Sequence, residues 1–169
     1  MGREDWIELY AHEYCHYTQH KDDFMAQFND DVVWEWLAGK DYTYEAVEAS
    51  VRDSQALEAD NERRTVELIK KYGLPIDVGA YRQKCNAYIM FYTVVLKTRL
   101  WPEGTNPTYT DPAIFRTFPS DRILEDHEFL ECSDDFYDAI VERCAGGRKK
   151  PTLWQRLRRR LFPVYDPRV

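Results

Sequence analysis

Apolar and aromatic positions recur at helical spacing along most of this chain. Between residues 4 and 19 they fall at Trp6, Leu9, Tyr10, Tyr14 and Tyr17, and Glu4 and Asp5 suit the positive end of a helix. Residues 22–38 alternate acids with Phe24, Met25, Phe28, Val32, Val33, Trp34, Trp36 and Leu37, which predicts one helix or two, ended by Gly39. The strongest periodicity follows. A helix is predicted to start after Thr43 as N-cap and run to Tyr72, with Gly73 as its C-cap and Pro75 beyond. Ala46, Val47, Val51, Leu57, Val66, Leu68 and Ile69 supply its apolar positions. Residues 77–101 read as a largely buried helix closed by Pro102 and Gly104, although their β-branched residues leave a strand component open. Residues 102–120 are Pro-rich and read as irregular. Residues 132–147 predict a short helix with Ser133 as N-cap and a glycine stop, and a last short helix is expected near 151–161. The fold class is mainly α, with little or no β-sheet.

Composition narrows this. A chain of 169 residues with 44% hydrophobic and 15% aromatic residues can bury a core and is most simply one domain. Its 7 Gly and 8 Pro are too few for a turn-rich β-sandwich. No apolar run reaches the roughly 18 residues of a membrane span. The N-terminus has no apolar signal core, and Trp6 stands where a myristoylation signal needs Ser or Thr. The expected location is therefore the cytoplasm. Cys15, Cys85, Cys132 and Cys144 form no C-x-x-C pair and read as reduced, buried thiols.

Charge is distributed unevenly. Residues 148–169 carry eight Lys/Arg against the single acid Asp166, a net +7. The whole chain carries −7, so residues 1–147 carry −14. The expected organisation is a main domain over 1–147 and a basic tail over 148–169. Leu153, Trp154, Leu157 and Leu161 sit among the arginines near helical spacing. The tail therefore suits docking to an assembly partner, or folding back on the acidic body. The acidic body argues against a broad nucleic-acid surface.

The candidate chemistry lies in His12-Glu13-Tyr14-Cys15-His16, a match to H-E-x-x-H. On a helix, His12 and His16 stack on one face, the separation at which two imidazoles bind one Zn²⁺. Glu13 then lies beside the metal, placed to take a proton from water activated there. The motif is short, and a surface helix can carry two such histidines without a metal, so a third ligand decides. Glu58 and Glu62, at i and i+4 on the long helix, are the candidates, each able to bind while the other supports it. Asp60 points roughly to another side. Asp22 has the spacing of a third ligand, but that arrangement needs a glycine at position 19 and the chain has Gln19. His20 lies one more turn along and reads as solvated or as support to a ligand.

The segments "WIELYAHEYCHYTQH", "LEADNERRTVELIKKYGLPID" and "YRQKCNAYIMFYTVVL" resemble small zinc metallopeptidases found largely in bacteriophage genomes, similar in motif logic to the Glu-ligand zincins, or gluzincins. The resemblance covers roughly residues 5–120. It implies a zincin-like helical core in which the H-E-x-x-H helix packs on a Glu-bearing helix. His12, His16 and Glu58 would be ligands of Zn²⁺ and Glu13 the general base. Glu62, in place of the commoner Asp, would hydrogen-bond the other nitrogen of a ligand histidine. Such enzymes also use a donor for the oxyanion, for which Tyr88 and Tyr92 are candidates, with Asn86 nearby. The alternative for these tyrosines, and for Trp34 and Trp36, is aromatic core; Arg116 reads as a loop arginine or a contact to a substrate carboxylate.

Two functions follow. The first is a zinc-dependent metallopeptidase acting on a peptide or protein in the host cytoplasm. The second is a phage virion or assembly component that keeps zinc as a staple between helices and docks through its tail. The second gains from the eleven residues ahead of His12, too few for the sheet whose edge strand pairs with substrate in zincins.

Overall fold

A computed structural model describes residues 5–22, 31–102 and 106–144. It is mainly helical, and no strand occurs among the described residues. The elements are α1 (Asp5–Asp22), α2 (Asp31–Leu37), α3 (Tyr44–Tyr72), α4 (Val78–Thr98), α5 (Pro107–Thr110), α6 (Pro112–Phe115), a 3₁₀ turn (Glu128–Leu130) and α7 (Asp134–Cys144). Residues 145–169, and with them the basic tail and its expected helix, lie outside the described residues, as do Phe24, Met25 and Phe28.

The long α3 forms the spine, and its ends are set by the residues the pattern named. The Thr43 side chain accepts from the Ala46 N–H. Gly73 takes the left-handed conformation, φ 58°, and its N–H returns to the Ile69 carbonyl. The α4 helix begins at Asp77, whose carboxylate accepts from the N–H groups of Gly79 and Ala80. Residues 78–98 stay helical despite their β-branched content, because burial along nearly the whole length, from Tyr81 to Leu96, outweighs propensity.

Helices α3 and α4 run antiparallel. Gln55 donates to Ile89 O and Thr93 Oγ1, while Tyr81 at the other end donates to Glu62. The core between and around them holds Val47, Val51, Val66, Ile69, Ile89, Phe91 and Val95, closed by Phe129, Phe136 and Ile140. The Pro-rich stretch departs from expectation. It holds two one-turn helices, because Asn106 and Asp111 each cap a turn that opens with proline at a position where no N–H is needed. Ser133 caps α7 through a bond from Phe136 N–H.

Helix α1 turns the other way from its apolar pattern. Trp6, Leu9, Tyr10, Tyr14 and Tyr17 are exposed, with Tyr10 at 69%. The inward face carries Ala11, Cys15 and Gln19, which are buried, with His12 and His16 beside them. Small Ala11 and Cys15 let α1 approach α3 closely, and polar pairing rather than apolar burial holds the two together. No helix among the described residues is long and apolar enough to cross a membrane.

Candidate metal centre

The antiparallel approach of α1 and α3 brings the two sequence motifs face to face. His12 Nε2 lies 3.0 Å from His16 Nε2, with the rings nearly perpendicular at 88°. Glu58 Oε2 lies 3.5 Å from His16 Nε2 and 4.0 Å from His12 Nε2. A tetrahedral ion with bonds of about 2.0–2.1 Å separates its ligand atoms by roughly 3.3 Å. The three observed separations bracket that value. His12, His16 and Glu58 are each half-buried.

Burial makes the arrangement unusual. Glu58 Oε2 is out of contact with water and accepts no hydrogen bond. An ionised oxygen in that position costs free energy unless a cation faces it. Two nitrogens lie across from it, so the donor set of two imidazoles and one carboxylate fits a divalent ion such as Zn²⁺.

The backs of these groups are held by protein atoms. His12 Nδ1 lies 3.1 Å from Glu62 Oε1. Glu62 is 1% exposed, and its other oxygen accepts from the Tyr81 hydroxyl. Both Glu62 oxygens are thus engaged away from the triad, and Glu62 stands as the support to His12 rather than as the third member. The carboxylate can only accept, so Nδ1 of His12 carries a hydrogen, and when the ring gives up its second proton the lone pair is left on Nε2. The Asn61 Nδ2 lies 3.0 Å from this Nδ1 while its Oδ1 is buried without a hydrogen bond; with the amide turned round, that oxygen accepts from Nδ1–H. Burial works against a charge on His12. The hydrogen bond to Glu62 and the carboxylates of Glu62, Glu58 and Glu13 outweigh it, and raise the pKa from 6.5 to about 9. The metal-free site therefore holds a proton where a cation fits.

Glu13 is exposed on the turn between the two histidines, and its charge is felt at His12. Tyr88, on α4, is half-buried and feels the Glu58 charge. Its hydroxyl lies 3.2 Å from that of buried Tyr92, and its ring packs against Tyr109 at 5.0 Å. Burial and then the Glu58 charge push the Tyr88 phenol upward, which keeps it a hydrogen-bond donor. Tyr92 packs against Trp34 and Trp101.

Several candidates are placed elsewhere. Asp22 is exposed and pairs with Arg64 at 2.6 Å. His20 is half-buried and stands apart from the converging triad. Asn86 is buried, and it holds a loop by donating to Pro119 O and Arg122 O and accepting from Leu124 N. Trp36 is buried under the Arg99 guanidinium, and Arg116 is an exposed loop residue. Cys15 and Cys85 are buried, Cys132 and Cys144 half-buried, and none is in a disulfide.

Other neighbours carried no motif signal. Gln19 reaches His16, Asn61 reaches His12, and Tyr81 reaches Glu62. Asp60, expected on another side of α3, accepts from Gln19 at 2.6 Å. No family model, curated protein or solved structure matches the chain.

Proposed function

We propose that this protein is a zinc-dependent hydrolase of the metallopeptidase type, with Zn²⁺ held by His12, His16 and Glu58. The observation that carries the reading is the buried, unpartnered Glu58 Oε2 facing two imidazole nitrogens 3.0 Å apart. Three protein ligands leave a position open, as in catalytic rather than structural zinc sites. Zinc in such a site lowers the pKa of water toward about 7 and polarises a carbonyl.

The chain's own groups supply the rest. Glu13, exposed beside His12, takes the proton of the attacking water and returns it to the leaving amine nitrogen. Glu62, backed by Tyr81, keeps His12 in the tautomer that binds. Tyr88 offers its hydroxyl to the carbonyl oxygen as negative charge develops there.

A second reading keeps the ion as a staple between α1 and α3 in a virion or assembly component. It draws on the polar character of the α1–α3 contact, in which His12, His16, Gln19 and Asp22 all make cross-helix pairs. One experiment separates the two. Purified protein should contain close to one zinc per chain under either reading. Glu13→Gln should leave that content unchanged and abolish hydrolysis of a broad peptide library. Equal inertness of wild type and variant would decide for the staple.

A further inference from the structure

We infer that Gln19 is a positioning residue that holds His16 with its Nε2 lone pair turned toward the metal, an inference resting on the metal reading above. Gln19 is 7% exposed, so its amide must find partners within the protein. Both hydrogens of its nitrogen are placed: Nε2 donates to Leu57 O at 2.9 Å and to Asp60 Oδ2 at 2.6 Å. A main-chain carbonyl and a carboxylate only accept. Turning the amide round would set its oxygen against both of them, so its orientation is fixed by chemistry.

The amide oxygen is thereby fixed 3.0 Å from His16 Nδ1. An oxygen there accepts, which puts the hydrogen on Nδ1 and leaves the lone pair on Nε2. That Nε2 is the atom facing His12 and Glu58. Asp60 also accepts from Arg64 Nε at 2.8 Å, and Arg64 Nη1 reaches Asp22 at 2.6 Å. The carboxylate polarises the amide and strengthens its oxygen as an acceptor, which makes the imidazole a better donor to a metal. Gln19 thus does for His16 what Glu62 does for His12, without adding a charge. A carboxylate at position 19 would face Asp60 and add to the negative charge of Glu13, Glu58 and Glu62.

The test is Gln19→Met, which keeps the length of the side chain and removes both polar atoms. The first readout is the His16 tautomer in metal-free protein, read by two-bond proton–nitrogen NMR at a pH above the histidine titration. Wild type should show the hydrogen on Nδ1. The variant should populate the other tautomer at His16 and leave His12 unchanged as an internal control. The second readout is zinc affinity by competition with a chromophoric chelator, expected to fall about 10–100-fold. A folded variant with unchanged tautomer and unchanged affinity overturns the inference. So does a wild-type His16 protonated on Nε2, a result that needs no variant. If wild type binds no zinc, the metal reading falls by itself, and the tautomer measurement still judges Gln19.

Discussion

His12 Nε2 and His16 Nε2 face each other at 3.0 Å, and each imidazole has a partner behind it, Glu62 for one and Gln19 for the other. Two nitrogens so close need a proton or a cation between them. The carboxylates of Glu62, Glu58 and Glu13 favour that positive charge, and the pair spans about one turn of α1 against the middle of α3.

The first prediction concerns pH. The pKa of His12 is raised to about 9 from 6.5, so metal-free protein gains stability from the charged form. That gain is fully present below 6.5 and is lost as pH rises through about 9. A ligand imidazole must give up this proton, so zinc binding near neutral pH should release about one proton per ion. Thermal unfolding in chelator from pH 6.5 to above 9 should show a falling midpoint, absent with zinc bound. Calorimetry in two buffers of different ionisation enthalpy counts the proton. A binding enthalpy independent of buffer would contradict the protonated site.

Glu58 and Glu62 should separate cleanly. Glu58 Oε2 accepts no hydrogen bond, and Glu58→Gln should abolish tight zinc binding while shifting metal-free stability by less than about 1 kcal/mol. Glu62 satisfies both Tyr81 and His12 from a buried position. Glu62→Ala should weaken zinc binding about 10–100-fold. It should also cost roughly 1–3 kcal/mol for each group left unpaired. Denaturant unfolding in chelator, beside zinc titration, reads both. Retention of zinc by Glu58→Gln would remove Glu58 as the third ligand.

The asymmetry between these two acids shows what a sequence can carry. Spacing along one helix is local, so the pairing of His12 with His16 and of Glu58 with Glu62 was legible. So were the caps at Thr43, Gly73 and Ser133, whose chemistry acts within a few residues. The support given by Gln19, Asn61 and Tyr81 was not, because it depends on how three helices meet. The aromatic stripe of α1 misled for a related reason. Periodicity shows that a helix has two faces, and here the face with Ala11, Cys15 and the histidines is turned inward. Proline at 107 and 112 suggested irregular chain, whereas Asn106 and Asp111 ahead of them make each a helix start.

Asn86 lies on α4, and its hydrogen bonds go to a loop rather than to the metal ligands. Its side chain satisfies two carbonyls and one N–H of the 119–124 segment, and it is wholly buried. Asn86→Ala leaves those groups without partners and should cost about 2–4 kcal/mol. Zinc affinity of the folded fraction should not change. A coupled loss of affinity would mean that the loop shapes the metal centre, and chelator competition below the unfolding transition distinguishes the two.

Tyr88 tests whether the fold serves chemistry beyond metal binding. Its hydroxyl meets the Tyr92 hydroxyl at 3.2 Å, while its ring is held by Tyr92 and Tyr109. Tyr88→Phe keeps the ring and gives up one partly buried hydrogen bond, so stability should fall by no more than about 1 kcal/mol. Zinc content should stay the same. If the hydroxyl stabilises the oxyanion, kcat for peptide hydrolysis should drop about 100-fold with KM nearly unchanged, because the bond is made mainly in the transition state. An unchanged kcat would leave Tyr88 as packing alone and move the search for the donor elsewhere around Glu58.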